Sequence, residues 1–153
     1  MNANRYTDLI VGKDLALFDF VSTGPRGAIR KRIAFMSTND TRVVQLAFGD
    51  LIDGSLLNDR VISNNGDRDK VLATIIGVVD IYTNAYPQRW VYFEGSTDAR
   101  TRLYRIVVSQ NIHDLSTLFE IQGLLGHWSM EPFQKNQPYR AFLIRRKNTN
   151  FKV

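Results

Sequence analysis

The amino-acid sequence predicts an α+β fold with a mostly antiparallel sheet and two main helices, in the order ββββ-α-β-α-ββ. Three observations lead to this prediction. Segments rich in aromatic and β-branched residues, separated by turn signals, fill the first 63 residues. Two later segments carry apolar residues at helical spacing, and strand-like segments lie between and after them. At 153 residues, of which 44% are apolar, the chain has the size of one domain spanning residues 1–153.

The first half of the chain predicts strands. Residues 15–22 and 28–36 have the aromatic and branched content of two paired strands. Between them, Gly24-Pro25-Arg26-Gly27 predicts a β-hairpin turn, because proline fixes φ and glycine tolerates positive φ. The other elements predicted in this half are a strand at 43–48, a polar loop at 49–58 and a short fourth strand around 60–63.

The first main helix is predicted after Asn64-Asn65-Gly66-Asp67, which offers N-cap residues and a negative charge near the positive end of the helix dipole. Asn84 and Pro87 mark its end. Gly77 costs roughly 1 kcal/mol inside a helix, so we expect close packing at that position. The apolar residues with the spacing of one buried face are Leu72, Ile75, Ile76, Val79, Tyr82 and Tyr86.

The second main helix is predicted at 98–110, directly after Gly95-Ser96-Thr97. Residues 88–94, which contain Trp90-Val91-Tyr92-Phe93, predict a central strand before it. The remaining predicted elements are a short helix or turn at 111–117, strands at 118–125 and 139–146, and a polar and aromatic loop at 126–138.

The net charge of +5 is unevenly distributed along the chain. Residues 1–36 hold six basic and three acidic side chains, and residues 100–153 hold nine basic and three acidic ones. The segment between them is net acidic. Arginine outnumbers lysine fourteen to six, and its planar guanidinium suits phosphate and carboxylate groups. The composition therefore favours an acidic partner, either a nucleic acid or an acidic protein.

The start of the second helix holds the most specific concentration of positive charge. A helix start exposes backbone N–H groups, and three arginines follow the Gly95-Ser96-Thr97 segment within eight residues. The candidate anion- or nucleic-acid-binding residues here are Ser96, Thr97, Arg100, Arg102 and Arg105. The alternative is structural, with Ser96 or Thr97 as N-cap and an i,i+4 ion pair between Asp98 and Arg102.

A second basic segment follows the predicted hairpin turn. Arg26, Arg30 and Arg32 are candidate nucleic-acid-binding residues, because residues 26–32 hold four positive charges and no acid. On a strand, Arg30 and Arg32 share one face while Lys31 points to the other. The alternative is an ordinary hairpin whose charges are solvated.

Signatures of catalysis and of cofactor binding are sparse. The absence of cysteine excludes disulfides, thiolate chemistry and cysteine-based zinc sites. His113 and His127 lack a metal-ligand spacing, and no nucleotide- or dinucleotide-binding loop occurs. We therefore expect no metal site and no cofactor. A metal-free ribonuclease would need one of these histidines beside the arginines of the second helix, an arrangement that the sequence alone leaves open.

The sequence gives no sign of membrane insertion or export. Its N-terminal residues are polar, so we expect no signal peptide. The longest apolar stretch, residues 71–79, is far below the ~20 residues that cross a bilayer. A cytoplasmic location without membrane contact is the expectation.

Five stretches of the chain together resemble a family of short bacterial proteins filed as a domain of unknown function. They are residues 18–27, 46–50, 64–74, 95–105 and 141–147. The resemblance implies a bacterial cytosolic origin and a self-contained domain, and it supplies no activity and no functional residue. In element order alone, four strands followed by a helix are similar to the ββββα unit of the Whirly and Pur-type single-strand-binding proteins.

The sequence as a whole favours a non-catalytic module that binds nucleic acid or a protein partner through arginine-rich surfaces. Two alternatives stay open. One is a toxin-like small enzyme acting on RNA. The other is a structural or protein-interaction domain, in which a homodimer forms when the acidic middle segment of one chain meets the basic end of another.

Overall fold

The computed structural model describes residues 4–52, 56–58, 64–126 and 129–148, with residues 56–58 described as backbone only. Its N-terminal strands are β1 (Ile10–Val11), β2 (Leu17–Gly24), β3 (Gly27–Ser37), β4 (Val43–Ile52) and β5 (Leu56–Asn58). The elements that follow are α1 (Arg68–Ala85), β6 (Trp90–Phe93), α2 (Asp98–Gln110), α3 (Ile112–Leu118), β7 (Phe119–Leu124), β8 (Met130–Pro132) and β9 (Ala141–Arg146).

The strands form one mostly antiparallel sheet, which confirms the predicted α+β class. Within the described residues the strand order is β1-β2-β3-β4-β6-β9-β7-β8, and β5 pairs with β4 outside this path. β4 and β6 are parallel, because α1 carries the chain back to the end of the sheet where β4 began. No helix in the described part of the chain is long and apolar enough to cross a membrane.

Both main helices lie where the sequence predicts them. α2 has the predicted bounds, and α1 begins directly after Asp67 and ends before Tyr86. The close packing expected at Gly77 is provided by the side chain of Arg5, whose Nη1 would lie 2.6 Å from a Cβ at that position. The N-terminal segment therefore packs along α1, in contact with the helix backbone.

The strand prediction is wrong in one segment and incomplete in two others. The loop predicted at 49–58 is wrong for the residues that the structure describes there, because β4 continues to Ile52 and β5 occupies Leu56–Asn58. Glycine and aspartate at 49 and 50 are typical of turns, but pairing with β3 outweighs that local preference. The sequence does not predict β1 and β8, because both strands are too short to show a period-2 pattern. The fourth strand expected at 60–63 lies outside the described residues.

The sheet has a helix-covered face and an outer face, because successive side chains of a strand alternate. Lys31 and Phe35 of β3 point towards the helices, and the Phe35 ring stacks on Tyr82 of α1 with centroids 3.9 Å apart. Arg30 and Arg32 point to the outer face, which confirms their predicted alternation with Lys31. The main core lies between the helices and the covered face.

Candidate functional site

A cleft of about 250 Å³ opens between the end of the β3–β4 pair, the start of α1 and the first half of α2. We call it the cationic cleft, because three of its lining side chains carry positive charge. The lining residues are Lys31, Phe48, Asn64, Asn65, Asp67, Arg68, Val71, Leu72, Ile75, Arg100, Leu103 and Tyr104.

A buried ion pair forms the inner end of the cationic cleft. Lys31 Nζ lies 2.6 Å from Asp50 Oδ1, and the two side chains are 1% and 8% exposed. The two residues are direct cross-strand partners in the β3–β4 register, one step beyond the apolar pair Ile33 and Phe48 on the same face. Desolvating two charges costs several kcal/mol per ion, so a buried pair is weak as a stabilising device. Lys31 nevertheless lines the cleft, so the pair places a charge at its inner end.

Asn65 joins the wall of the cleft to the β2–β3 hairpin. Its side chain is buried, and Oδ1 accepts a hydrogen bond from the backbone N–H of Arg26 at 2.7 Å. Its Nδ2 donates to the carbonyl of Gly27 at 2.9 Å and to Ser22 Oγ at 3.2 Å. Gly24 is required opposite, since a Cβ there would lie 1.9 Å from the Asn65 carbonyl oxygen. The hairpin tip and the approach to α1 are thereby held together.

Asp67 lies at the N-cap position of α1, but its side chain does not cap the helix. Its Oδ2 instead accepts hydrogen bonds from Ser22 Oγ, at 2.6 Å, and from the hydroxyl of Tyr6. The capping expected from the sequence is therefore replaced by contacts to β2 and to the N-terminal segment. The first backbone N–H groups of α1 keep the positive end of the helix dipole at the wall of the cleft.

The start of α2 supplies the opposite wall. Thr97 is the N-cap, and its Oγ1 accepts a hydrogen bond from the backbone N–H of Arg100 at 3.3 Å. The Arg100 guanidinium donates to Ser96 Oγ and lines the cleft. Burial raises the pKa of Tyr104, one turn further along, while the charge of Arg100 opposes that rise. Thr97 therefore caps the helix, as the structural interpretation predicts, and Arg100 lines the cleft.

Replacing Thr97 with alanine should lower the free energy of unfolding by about 1 kcal/mol, because the helix loses its N-cap acceptor. Urea denaturation followed by circular dichroism measures the change. The matched control is Ser96→Ala, which removes a neighbouring hydroxyl that does not cap the helix and should cost less than about 0.5 kcal/mol. Equal losses for the two variants would contradict the assignment of the cap.

The other predicted arginines are dispersed. Arg32 forms a two-point ion pair with Asp19 on the outer face, at 2.7 and 2.8 Å, and this hydrogen bonding raises its pKa. Arg105 donates to the backbone carbonyl of Tyr139 at 2.8 Å. Tyr139 is fully buried; burial, together with its hydrogen bond to Glu131, raises its pKa to about 12. Arg105 thus anchors the segment that precedes β9.

Arg26, Arg30 and Arg102 are exposed, and the structure does not bring all the predicted arginines onto one concave surface. Arg26 lies at the hairpin tip beside Asn65. Arg30 points to the outer face of the sheet, away from the cationic cleft. Of the predicted site residues, Arg100 is the one that lines the cleft.

His113 is exposed on α3, and no hydrogen bond or ion pair joins it to an arginine within the described residues. His127 lies outside the described residues. In the same part of the chain, no three histidine, aspartate or glutamate side chains come close enough together to hold a metal ion.

An apolar cavity of about 160 Å³ adjoins the cationic cleft on the covered side of the sheet. The two share four lining residues, namely Phe48, Leu72, Ile75 and Tyr104. Beyond them the cavity runs between α1, α2 and α3 and is walled mainly by aliphatic side chains. Its polar lining at Glu94, Gly95 and Ser96 belongs to the exposed loop before α2.

Sequence reasoning missed the residues that shape this site: Lys31, Asp50, Asn65 and Arg68. One signal was available for the first two. Lys31 and Asp50 each continue an alternating apolar series on the covered face, Lys31 before Ile33 on β3 and Asp50 after Phe48 on β4. A single charge in each of two neighbouring apolar series indicates a buried pair, provided that the register between the strands is known.

The comparisons with known proteins identify a family and nothing narrower. No curated protein and no solved structure matches the chain. The family model described as Family of unknown function (DUF6934) matches residues 2–147. Three of the stretches that carry the resemblance, 46–50, 64–74 and 95–105, contribute lining residues to the cationic cleft, and Asn65 bonds the stretch 18–27 to it. The chain therefore belongs to the DUF6934 family of unknown function.

Proposed function

We propose that this chain is a non-catalytic, cytoplasmic binding module whose ligand is anionic, and that the cationic cleft is its binding site. The observation that carries the proposal is a buried lysine at the inner end of an open cleft, with an arginine on each side wall. Among the described residues, Lys31, Arg68 and Arg100 line the cleft with one carboxylate, Asp67. Lys31 and Arg68 also form ion pairs, with Asp50 and Asp69.

The chemistry of the cleft suits a single phosphate or carboxylate group. Arg68 has a side chain that is 66% exposed, and its ion pair with Asp69, at 3.4 Å, is exposed to solvent, so an anion at the mouth can compete for the guanidinium. Hydrogen bonds between a charged donor and a charged acceptor contribute roughly 1.5–3 kcal/mol each. The start of α1 adds a positive backbone dipole on the same wall. These features favour binding and orientation of an anion, and they supply no paired acid and base for catalysis.

The test is a titration with pyrophosphate, measured by isothermal calorimetry at low and at moderate salt. We expect saturable binding that weakens as salt is raised, because the rim charges are exposed to solvent. The double variant Arg68→Gln/Arg100→Gln should bind at least tenfold more weakly, because two charge-assisted contacts are lost.

The matched control is Arg30→Gln/Arg42→Gln, which removes the same charge from exposed positions outside the cleft lining. Arg30 points to the outer face, and Arg42 precedes β4 at the end remote from Asp50. The control should bind pyrophosphate within about twofold of the parent chain if the cleft is the site. Absence of saturable binding in the parent chain, or equal weakening in both double variants, would reject the proposal.

Single-stranded nucleic acid is the second candidate ligand, because exposed arginines extend the positive surface beyond the cleft. Arg26 lies at the hairpin tip beside Asn65. Arg102 is exposed on α2, between Arg100 and Leu103, which line the cleft. A chain of phosphates would use these outer arginines, whereas a small anion would not. Under this candidate, Arg26→Ala/Arg102→Ala weakens binding of a fluorescent oligothymidylate and leaves pyrophosphate binding unchanged.

A further inference from the structure

The cationic cleft and the apolar cavity lie side by side and have opposite chemistry. Phe48, Leu72, Ile75 and Tyr104 line both, so only these four side chains stand at the boundary between them. The cleft presents the charges of Lys31, Arg68 and Arg100. The cavity runs between α1, α2 and α3 among aliphatic side chains. A ligand that fills both parts must carry an anionic head on an apolar body.

The walls of the cavity favour a hydrocarbon chain over a polar ring system. Gln45 contributes to the lining, and its strand partners are Met36 and Tyr92. It belongs to the alternate residues of β4 whose side chains point to the outer face, so its side chain points away from the cavity. The other polar side chains of the lining are Glu94 and Ser96, exposed at the loop before α2, and Tyr104, at the boundary with the cleft. A buried nucleobase would leave its ring nitrogens and exocyclic groups without partners among aliphatic walls, which is costly. A hydrocarbon chain has no such groups.

The size of the cavity limits the length of that chain. A cavity of about 160 Å³ is close to the engineered apolar cavities of roughly 150 Å³ that hold one benzene molecule. It therefore accommodates on the order of six to eight carbon atoms. The carboxylate of a chain that enters from the cleft is left beside the lysine and the two arginines.

We propose that the site binds a medium-chain fatty carboxylate, with its head in the cationic cleft and its chain in the apolar cavity. This inference rests on the proposed anion-binding function and specifies the ligand class. The binding is non-covalent, and the aliphatic walls supply its dependence on chain length.

The experiment compares acetate, butyrate, hexanoate and octanoate by isothermal calorimetry on the full chain, with pyrophosphate titrated in parallel. Each methylene that enters the cavity should tighten binding about fourfold, until the cavity is full. Octanoate should therefore bind at least tenfold more tightly than butyrate. Pyrophosphate, which lacks a chain, reports on the cleft alone.

A variant that fills the cavity tests the location. Val108 is buried on α2 and lines the cavity, but it does not line the cleft. Val108→Phe should abolish the difference between octanoate and butyrate and leave pyrophosphate binding within twofold. The matched control is Ile106→Phe, on the exposed side of the same helix, which should retain the chain-length dependence. Leu115→Phe on α3 fills the cavity from another wall and replaces the first variant if that one does not fold.

The outcomes separate the two proposals. Equal affinities for butyrate and octanoate, with pyrophosphate still bound, overturn the fatty-carboxylate inference and leave the anion site standing. Octanoate binding that survives both cavity-filling variants overturns the inference as well, because the chain then lies elsewhere. Absence of binding by pyrophosphate and by every carboxylate overturns both proposals. Tightening with chain length that is lost in the filled variants supports the inference.

Discussion

Asp50→Ala should lower the free energy of unfolding by about 3–5 kcal/mol. The carboxylate of Asp50 lies 2.6 Å from the ammonium of Lys31, which is 1% exposed. Without that carboxylate, Lys31 keeps its buried position but loses the ion pair with Asp50, which offsets part of its desolvation. Urea denaturation at neutral pH, followed by tryptophan fluorescence, measures the loss.

A double variant separates the cost of breaking the Lys31–Asp50 ion pair from the cost of lost packing. Lys31→Met/Asp50→Leu replaces the pair with apolar side chains of similar size and should recover most of the stability lost in the single variant. The matched control is Asp19→Ala, which breaks a partly exposed ion pair with Arg32 on the opposite face of the same hairpin. That change should cost about 1 kcal/mol or less. A loss below about 1 kcal/mol for Asp50→Ala would contradict this account.

The double variant also has a functional use. It should fold, because its buried face is apolar throughout, yet it lacks the lysine at the inner end of the cationic cleft. Loss of pyrophosphate binding in a folded chain would assign the lysine to the ligand. Retained binding would place the anion at the outer arginines alone.

Asn65→Ala should lower the free energy of unfolding by about 2–4 kcal/mol. The side chain is 1% exposed and satisfies three groups of the β2–β3 hairpin: the N–H of Arg26, the carbonyl of Gly27 and Ser22 Oγ. Alanine leaves these groups without their partner, and each one that water cannot reach carries a desolvation penalty. Thermal and urea denaturation both report the change.

The adjacent asparagine provides the matched control. Asn64 is exposed, and its Oδ1 accepts one hydrogen bond, from the backbone N–H of Gly66 at 3.1 Å. Asn64→Ala removes the same chemical group one residue away and should cost about 0.5 kcal/mol or less. If both alanine variants lost equal stability, the specific role of Asn65 in joining hairpin and helix would be refuted.

The sequence predicted the elements well where a short local pattern, such as a cap or a regular alternation, defines the segment. The bounds of α2 and its cap follow from Thr97 and the apolar spacing after it. The alternation of Arg30, Lys31 and Arg32 on β3 follows from strand geometry alone. In both cases the residues that determine the local structure are close neighbours in the sequence, so contacts with distant segments change the local preference little.

The candidate site was not predictable in the same way, because it depends on contacts between distant segments. The sequence predicts Asn65 as part of a helix cap, yet its partners lie about forty residues earlier, in the hairpin tip. Asp67 is likewise predicted to cap the helix, but its side chain accepts hydrogen bonds from Ser22 and Tyr6 instead. The pairing of Lys31 with Asp50 requires the register of β3 and β4, which the intervening turn does not reveal.

The position of β9 within the sheet has a consequence for the order in which the chain can fold. β9 follows every other described strand in the sequence, but it lies between β6 and β7 in the sheet. During synthesis, the hairpin strands β2, β3 and β4 can pair as soon as they emerge, because their contacts are local. β6 and β7 must wait with unpaired edges until Ala141–Arg146 has left the ribosome. The sheet therefore closes between β6 and β7 only after Ala141–Arg146 has been synthesised, and the unpaired edges of these two strands are open to aggregation until then.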